Sequence, residues 1–510
     1  MRTNGPIQLY PLLRVAAFLA LGVWIGYETY GMVGRGAWLS ALAVAVVLSV
    51  ALRRHDLLQG ALIGLSALLL GATLVTGRCE ELSKPLPAGD VTYEAVVASQ
   101  PQRRGKVMRM DLWMVGDELA GRRVKASLLI DTLTRLHEQL NVGDGIVATS
   151  EMQVPENYYD SNFDYPLYLR CHGFTATTLI LPGNWQKAVV SLETLSHLDR
   201  TVLAAMKFRQ ATLRRYLSLG LDDDEMAVAV AMALGDRSRI TNDLRDIYSI
   251  SGASHVLALS GLHLGIIYML LSLLVGARRL GMFREMLIIG GIWSYALFTG
   301  LSPSVVRASV MITVFALTSL IHRRRMSLNA LALTAIVMLV VQPLLLYDVG
   351  FQMSFMAVLA ILVFYKPIYR LVSAEYLLAH PVQKWLWAMV VVSCCAQVGV
   401  APLTAYYFGR FSVYFLLTNL LVIPLATLVL YLTALMFVST LLPPLLPWVA
   451  RLLALVVGGQ TQMARWVASL PGSHIDGISI NRLQLMLVYV AIAALAVVGY
   501  HFLKLRMRRD

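Results

Sequence analysis

The chain has 510 residues, 57% of them hydrophobic and only 14% charged, with a mean hydropathy of +0.65. So few charges cannot cover a soluble surface, which excludes a soluble enzyme, a disordered regulator and a disulfide-rich secreted scaffold. The net charge of +13 collects in short loops between apolar runs, at Arg53/Arg54, Arg278/Arg279/Arg284, Arg323/Arg324/Arg325, Lys366/Arg370 and Lys504/Arg506/Arg508/Arg509. That is the positive-inside pattern of membrane topology and implies no nucleic-acid affinity by itself.

The composition therefore predicts a polytopic α-helical membrane protein. Three apolar segments come first, near 11–30, 36–52 and 56–76, and make an N-terminal membrane block over 1–76. The first lacks a small-residue cleavage site and reads as a retained helix. A polar stretch follows that is too long for a connector. Its part from 77 to 184 alternates with period two over 91–99, 106–115, 122–130, 145–153 and 173–181. Five short strands with Gly, Asp and Pro punctuation suit a small barrel of the OB type, and a generic β-sandwich fits them almost as well.

Residues 185–250 read as amphipathic helices on the outer face, one over 185–219 and one over 222–234. Asp222, Asp223, Asp224 and Glu225 fall in the first turn of the second, where capping suits four splayed carboxylates better than a metal cluster. A membrane domain over 251–510 then carries spans near 255–276, 284–301, 303–321, 326–342, 349–365, 384–402, 411–439, 446–468 and 484–504. The expected total is about twelve. Placing the basic loops inside puts both termini in the cytoplasm and 77–250 outside. Pro424 leaves 411–439 open to being two half-helices, and 446–468 open to an interfacial position.

Cys79 and Cys171 bracket the strands on the outside face, where an oxidising compartment favours a disulfide over two free thiols. Cys394 and Cys395 are adjacent in an apolar run and read as packing residues.

Polar residues at membrane depth are costly and mark function. His255, Ser260 and His263 stand in SGASHVLALSGLHLG (251–265), with Ser260 and His263 on one helical face. In GLSPSVVRAS (300–309), Pro303 interrupts the run and Ser304 and Arg307 follow. A guanidinium there needs a carboxylate, carbonyls or water. Asp348, in YDVGFQMSF (347–355), is placed to cap its helix or to pair with Arg307, and Gln352 follows it. Gln397 and Asn419 lie near the mid-run prolines Pro402 and Pro424. Broken, polar-lined helices are tolerated only against protein or a wet cavity, so these four places argue for a conduit.

Spacings for zinc, a metallo-hydrolase string and a P-loop do not occur, so no metal, cofactor or enzyme activity is expected. Two alternatives stand beside the conduit. One is a secondary transporter for a small anion, using the broken helices and Arg307. The other is an intramembrane serine hydrolase, since GASH (252–255) approaches the G-x-S-G of such enzymes, with Ser254 or Ser260 as nucleophile and His263 as base.

The strings SGASHVLALSGLHLG, SPSVVRAS and DVGFQMSF, preceded by ALGDRS (233–238), closely resemble the competence-domain signature of the ComEC family, bacterial inner-membrane DNA-uptake channels. NFDYPLYLRCHGFTAT (162–177) resembles the end of that family's outside OB-fold domain. The resemblance implies transport of single-stranded DNA across the bacterial cytoplasmic membrane in natural transformation. It implies membrane lipid as surroundings. A periplasmic DNA receptor and competence pilus proteins would deliver the DNA, and cytoplasmic DNA-binding or motor proteins would receive it. Arg307, Ser260 and His263 would then meet backbone phosphates. Arg103, Arg104, Lys106, Arg109, Arg122, Arg123 and Lys125 would form a basic edge outside, with Tyr93 and Trp113 stacking on bases. Many members carry a metallo-β-lactamase-like nuclease after the membrane block. This sequence ends at Asp510 without one, so the expectation is that a separate nuclease degrades the second strand or that no degradation takes place. Residues 77–183 hold 11 Lys and Arg against 14 Asp and Glu, so DNA contact there must be local.

Overall fold

Inside a bilayer every backbone N–H and C=O must be bonded within its own segment, so long apolar runs fold as helices. The computed structural model of the chain describes residues 10–116, 119–131, 135–157, 163–217, 223–276, 281–320, 327–439 and 442–506. Asp222 and the loop arginines Arg278, Arg279, Arg323, Arg324, Arg325, Arg508 and Arg509 lie outside the described residues.

The chain opens with helices α1 (Pro11–Glu28), α2 (Arg35–Ala51) and α3 (Asp56–Leu82). Strands β1 (Asp90–Val97), β2 (Gln102–Arg104), β3 (Val107–Met114), β4 (Arg123–Leu129) and β5 (Gly145–Gln153) follow, then α4 (Tyr165–Cys171), β6 (Phe174–Ile180) and β7 (Trp185–Ala188). Helices resume with α5 (His197–Leu217), α6 (Asp223–Leu234), α7 (Asn242–Ile250), α8 (Ser254–Leu257), α9 (Gly261–Val275), α10 (Gly281–Phe298), α11 (Pro303–Leu320), α12 (Ser327–Val341), α13 (Val349–Tyr369), α14 (Ala374–Ala379) and α15 (Pro381–Phe408). The C-terminal part is β8 (Phe411–Ser412), α16 (Phe415–Ser439), α17 (Leu446–Ser469), β9 (His474–Ile475) and α18 (Arg482–Arg506).

By length and composition, α1, α3, α13, α15, α16 and α18 can each cross a membrane, and α2, α9, α11 and α12 are shorter apolar helices. The two remaining places among the expected spans fall to α10 and α17. The first turn of α10 holds the Arg284–Glu285 ion pair at 2.7 Å, and α17 buries one stripe that includes Gln460. The protein is a polytopic α-helical membrane protein with an inserted barrel.

The chain forms two compact units. The first comprises Met1–Thr212, Trp293–Leu301 and Ser309–Asp348, and the second Leu213–Ile292, Ser302–Ala308 and Val349–Asp510. In the first unit, α1 and α3 touch backbone to backbone. A Cβ on Gly22 would stand 1.8 Å from the Leu68 carbonyl oxygen, and one on Gly71 would stand 2.3 Å from that of Leu19. Small residues at this crossing let the helices gain packing that lipid would otherwise supply.

The strands of the first unit close on themselves in the order β1–β3–β4–β6–β5–β1, with β4 and β6 parallel and the other pairs antiparallel. That is the OB order, so the OB reading holds over the sandwich. The alternation seen in the sequence sets its inside: Tyr93, Met110, Leu112, Met114, Leu128 and Ile146 fill the barrel. Tyr93 was expected to stack on bases, but its ring is 2% exposed and its hydroxyl lies 2.8 Å from Ser150 Oγ within that core. Trp113 is also withdrawn from solvent. It packs with Val96, Val142, Leu195, Val202, Leu203 and Met206 beneath α5. Both rings lost their expected role because apolar area is worth more buried than exposed.

The helix expected from Trp185 is absent at its start. Residues 185–188 pair with β5 in the register Ala148↔Trp185 to Gly145↔Ala188, and the helix begins only at His197. Strand pairing there overrides local periodicity. The expected disulfide is absent as well, for Cys79 and Cys171 are both free and buried. They share an apolar cluster with Val23, Val75, Leu82 and Leu344, and Cys171 Sγ donates to the Leu344 carbonyl at 3.1 Å. Burial pushes the Cys171 thiol pKa up, with the nearby Asp348 and Asp164 charges adding to it.

In the second unit, α15 packs on α13 through Gly399, where a Cβ would meet the Met356 carbonyl at 2.3 Å. It meets α18 where Tyr489 donates to the Gly399 carbonyl at 2.8 Å. Both α15 and α16 run unbroken through Pro402 and Pro424, which corrects the expectation of half-helices. A proline removes one helical hydrogen bond, and a helix supported along its flanks tolerates that loss. Residues 226–234 of α6 are buried in succession, so this helix is enclosed rather than amphipathic. At one end of the unit, β8 and β9 pair as Phe411↔Ile475 and Ser412↔His474. Beside them Arg410 binds Asp476 through Nε at 2.5 Å and Nη2 at 3.0 Å, and reaches Ser249 Oγ at 3.2 Å.

Candidate functional site

A single helix from 255 to 276 does not form. After α7, Gly252 takes φ +85°, where any Cβ would also stand 2.8 Å from Ser412 Oγ. One helical turn, α8, follows, and then an extended stretch through Ala258 and Ser260 before α9 begins at Gly261. His255 is thereby separated from Ser260 and His263. It is exposed, with Nδ1 3.2 Å from the Gly252 carbonyl.

Ser260 is the N-cap of α9. Its backbone N–H donates to His263 Nδ1 at 3.3 Å, and its hydroxyl lies 2.8 Å from the same nitrogen. An N–H donor requires Nδ1 to accept, so the hydroxyl donates too and the ring proton sits on Nε2. His263 is 1% exposed. The first turn of α9 lies against α11, since a Cβ on Gly261 would be 3.7 Å from Ala308 Cβ.

Pro303 starts α11 instead of interrupting a run, as suits a residue without an N–H. One turn on, Arg307 is buried at 5% exposure and donates from Nη2 to Ser304 Oγ at 3.0 Å. An enclosed guanidinium is a fixed positive charge in a low dielectric and attracts anions far more strongly than one in water.

Gln352 accepts from the Tyr407 hydroxyl at 3.0 Å. Gln397 and Asn419 are half-buried and make no hydrogen bond among the described residues. Asp348 belongs to the first unit, directly before α13, with its carboxylate 3.9 Å from His172 Nε2. Sequence reasoning missed Thr418, fully buried, whose Oγ1 donates to the Ser251 carbonyl at 2.6 Å and ties α16 to the turn before α8. It also missed Tyr248, whose hydroxyl lies 3.2 Å from Thr461 Oγ1 and accepts from Gln460 Nε2 at 3.3 Å. Gln460 and Thr461 were visible as polar residues in an apolar run.

On the barrel, the expected basic edge splits in two. Arg103, Arg104, Lys106 and Arg109 are exposed on the β2–β3 hairpin, and their side chains have no hydrogen bond or ion pair among the described residues. The other three are engaged. Lys125 pairs with Asp111 at 2.5 Å. Arg123 pairs with Asp199 at 3.0 Å and lies 5.2 Å over the Trp113 ring. Arg122 donates to the carbonyls of Lys84 and Pro85. Only the hairpin group is free to meet a polyanion.

Residues 232–502, more than half of the chain, match the family described as Competence protein. Over 247 residues the chain is 31% identical to ComE operon protein 3 of Bacillus subtilis (strain 168), covering 48% of this chain and 30% of that protein. It is 33% identical over 147 residues to an uncharacterized protein of Aquifex aeolicus (strain VF5), which is 28% of this chain and 35% of the other. It is 23% identical over 211 residues to the uncharacterized protein YcaI of Escherichia coli (strain K12), 40% of this chain and 28% of that one. The matches thus span about a third of the length of these relatives. No solved structure matches.

Proposed function

The chain belongs to the Competence protein family, and from that membership we propose that it conducts DNA into the cytoplasm as a single strand during natural transformation. The observation that carries this reading is the extent of the family match. Residues 232–502 contain all nine polar membrane residues singled out above, His255, Ser260, His263, Ser304, Arg307, Asp348, Gln352, Gln397 and Asn419. A conduit that must pass any sequence needs phosphate contacts and no base readout. The Arg307 guanidinium supplies a positive charge for the first, and the four exposed cations of the β2–β3 hairpin supply a landing place outside.

On this reading the protein sits in the bacterial cytoplasmic membrane with both termini inside. The barrel receives DNA from a periplasmic receptor and pilus proteins, and cytoplasmic DNA-binding or motor proteins take up the strand. The membrane segment acts as a channel rather than as an enzyme. The anion-transporter alternative keeps the α8–α9 break and Arg307 but loses the two breaks expected at Pro402 and Pro424, where α15 and α16 are continuous. The hydrolase alternative draws on the Ser260–His263 contact. Yet the same Nδ1 also takes the Ser260 N–H, which is what a helix cap does.

Uptake of labelled duplex DNA into the cytoplasm tests the reading in a deletion strain and in strains carrying Arg307→Ala or His263→Ala. Loss of entry with surface binding retained, in the deletion and in Arg307→Ala at normal protein level, is the expected result. Undiminished uptake in the deletion strain would overturn it. Labelling of Ser260 by a fluorophosphonate would favour the hydrolase instead.

A further inference from the structure

The barrel-side ends of α2, α3 and α12 in the first unit enclose a cleft of about 610 Å³, within the ~300–1,000 Å³ range of small-ligand sites. Its floor is apolar. Leu74 of α3 lines it together with Val340 and Val341 at the end of α12, and these two valines are 40% and 81% exposed. Its charged rim sets three cations, Arg35, Arg78 and Lys84, against two carboxylates, Glu80 and Glu81, and so keeps a net positive charge.

Arg78 is held by Glu81 at 2.5 Å. The side chains of Arg35 and Lys84 make no hydrogen bond or ion pair among the described residues. Arg35 is nonetheless seated. Its guanidinium crosses α3 at Gly77, where a Cβ would stand 2.8 Å from Arg35 Nε. A glycine at that point leaves the guanidinium room to lie on the helix. Glu80, also on the rim and also without a partner among the described residues, supplies one carboxylate.

We propose that this cleft binds the headgroup of a glycerophospholipid, with its phosphate between Arg35 and Lys84 and its acyl chains along Leu74, Val340 and Val341. An occupant must be both anionic at the rim and apolar below it. A nucleic-acid strand meets only the first condition, while a lipid meets both. Arginine and lysine at the end of an apolar helix are the residues that hold lipid phosphate. Glu80 adds a preference for a headgroup that carries an ammonium beside its phosphate. The site is independent of the strand path and does not rest on the function proposed above.

Native mass spectrometry of the full chain, released from phosphatidylcholine nanodiscs doped with either phosphatidylethanolamine or phosphatidylglycerol, reads the bound lipid directly. Arg35→Gln with Lys84→Gln is expected to lower retention of both doped lipids about fivefold or more. Glu80→Gln should lower ethanolamine-lipid retention and raise that of the glycerol lipid. Lys384→Gln, at an exposed cation near the start of α15, should leave both unchanged. The proposal is overturned if the double variant retains lipid like the wild type, or if Lys384→Gln loses as much. Displacement of the doped lipid by a single-stranded oligonucleotide would also overturn it and make the cleft a nucleic-acid site.

Discussion

Arg410 and Asp476 form a two-toothed ion pair, Nε to Oδ1 at 2.5 Å and Nη2 to Oδ2 at 3.0 Å, across 66 residues of chain. The Arg410 hydrogen bonds hold the Asp476 carboxyl below the usual carboxylate range, helped by the charges of Arg410 and His474. A carboxyl whose pKa is lower folded than unfolded contributes its full stabilisation above the unfolded value of ~3.9, and loses it as pH falls through the folded value. Asp476→Asn should therefore melt at a lower temperature than wild type at pH 7, by a small margin because the pair is partly exposed. The two should converge as pH falls below about 4. A gap that stays constant down to pH 3 would show that the pair is not its source.

Cys79 and Cys171 should behave as buried thiols. Both sulfurs are enclosed and burial pushes the Cys171 thiol pKa up, and each effect slows attack on maleimides. The folded protein is expected to leave these two unlabelled. After denaturation, all four cysteines should label to the same extent with or without prior reduction. Full labelling only after reduction would establish a bond between them.

The α1–α3 crossing should fail on a single methyl group. Gly22→Ala places a Cβ inside the Leu68 carbonyl oxygen and should cost about 3 kcal/mol or more. It would be seen as loss of the monodisperse peak on size-exclusion chromatography after mild heating. Gly60→Ala, on the partner helix α3 with nothing within 4 Å, should show no loss. Equal behaviour of the two would mean that the close approach does not hold the helices together.

The β2–β3 hairpin should carry the salt dependence of DNA binding. Each phosphate contact to a single strand adds ~0.7 to the slope of log affinity against log salt. Replacing Arg103, Arg104, Lys106 and Arg109 with Gln is expected to flatten that slope by up to about 3. Lys125→Gln should change it little, because Lys125 is already paired with Asp111. A slope unaltered by the fourfold change would move the contact elsewhere.

The helices and the five barrel strands were legible because each rests on a local rule, apolar length for one and period-two alternation for the other. Predicted strands at 106–115 and 145–153 became Val107–Met114 and Gly145–Gln153. What failed depended on distant partners. Trp185–Ala188 has helical spacing but is recruited by β5. Tyr93 and Trp113 are amphipathic rings whose placement is decided by the core and by α5, which no local pattern reveals. The cysteines lie in one cluster, yet sequence separation says nothing about the approach of two sulfurs. The Ser260–His263 pairing was half visible: their spacing put them on one face, while the break at Ala258–Ser260 that makes Ser260 a cap depends on how α6 and α16 pack around the turn.

The cover that α5 lays over Trp113 has a practical consequence for where the barrel can be cut. A fragment ending at 184, the boundary the sequence suggested, would lose β7 from the edge of β5 and the whole lid over Val96, Trp113 and Val142. It would present the open edge of β5 at Gly145–Ala148 and an apolar patch to water, both of which invite aggregation. A fragment carried through to Leu217 keeps the strand, the lid and the Asp199–Arg123 pair. The domain is best regarded as a barrel that travels with its own stopper.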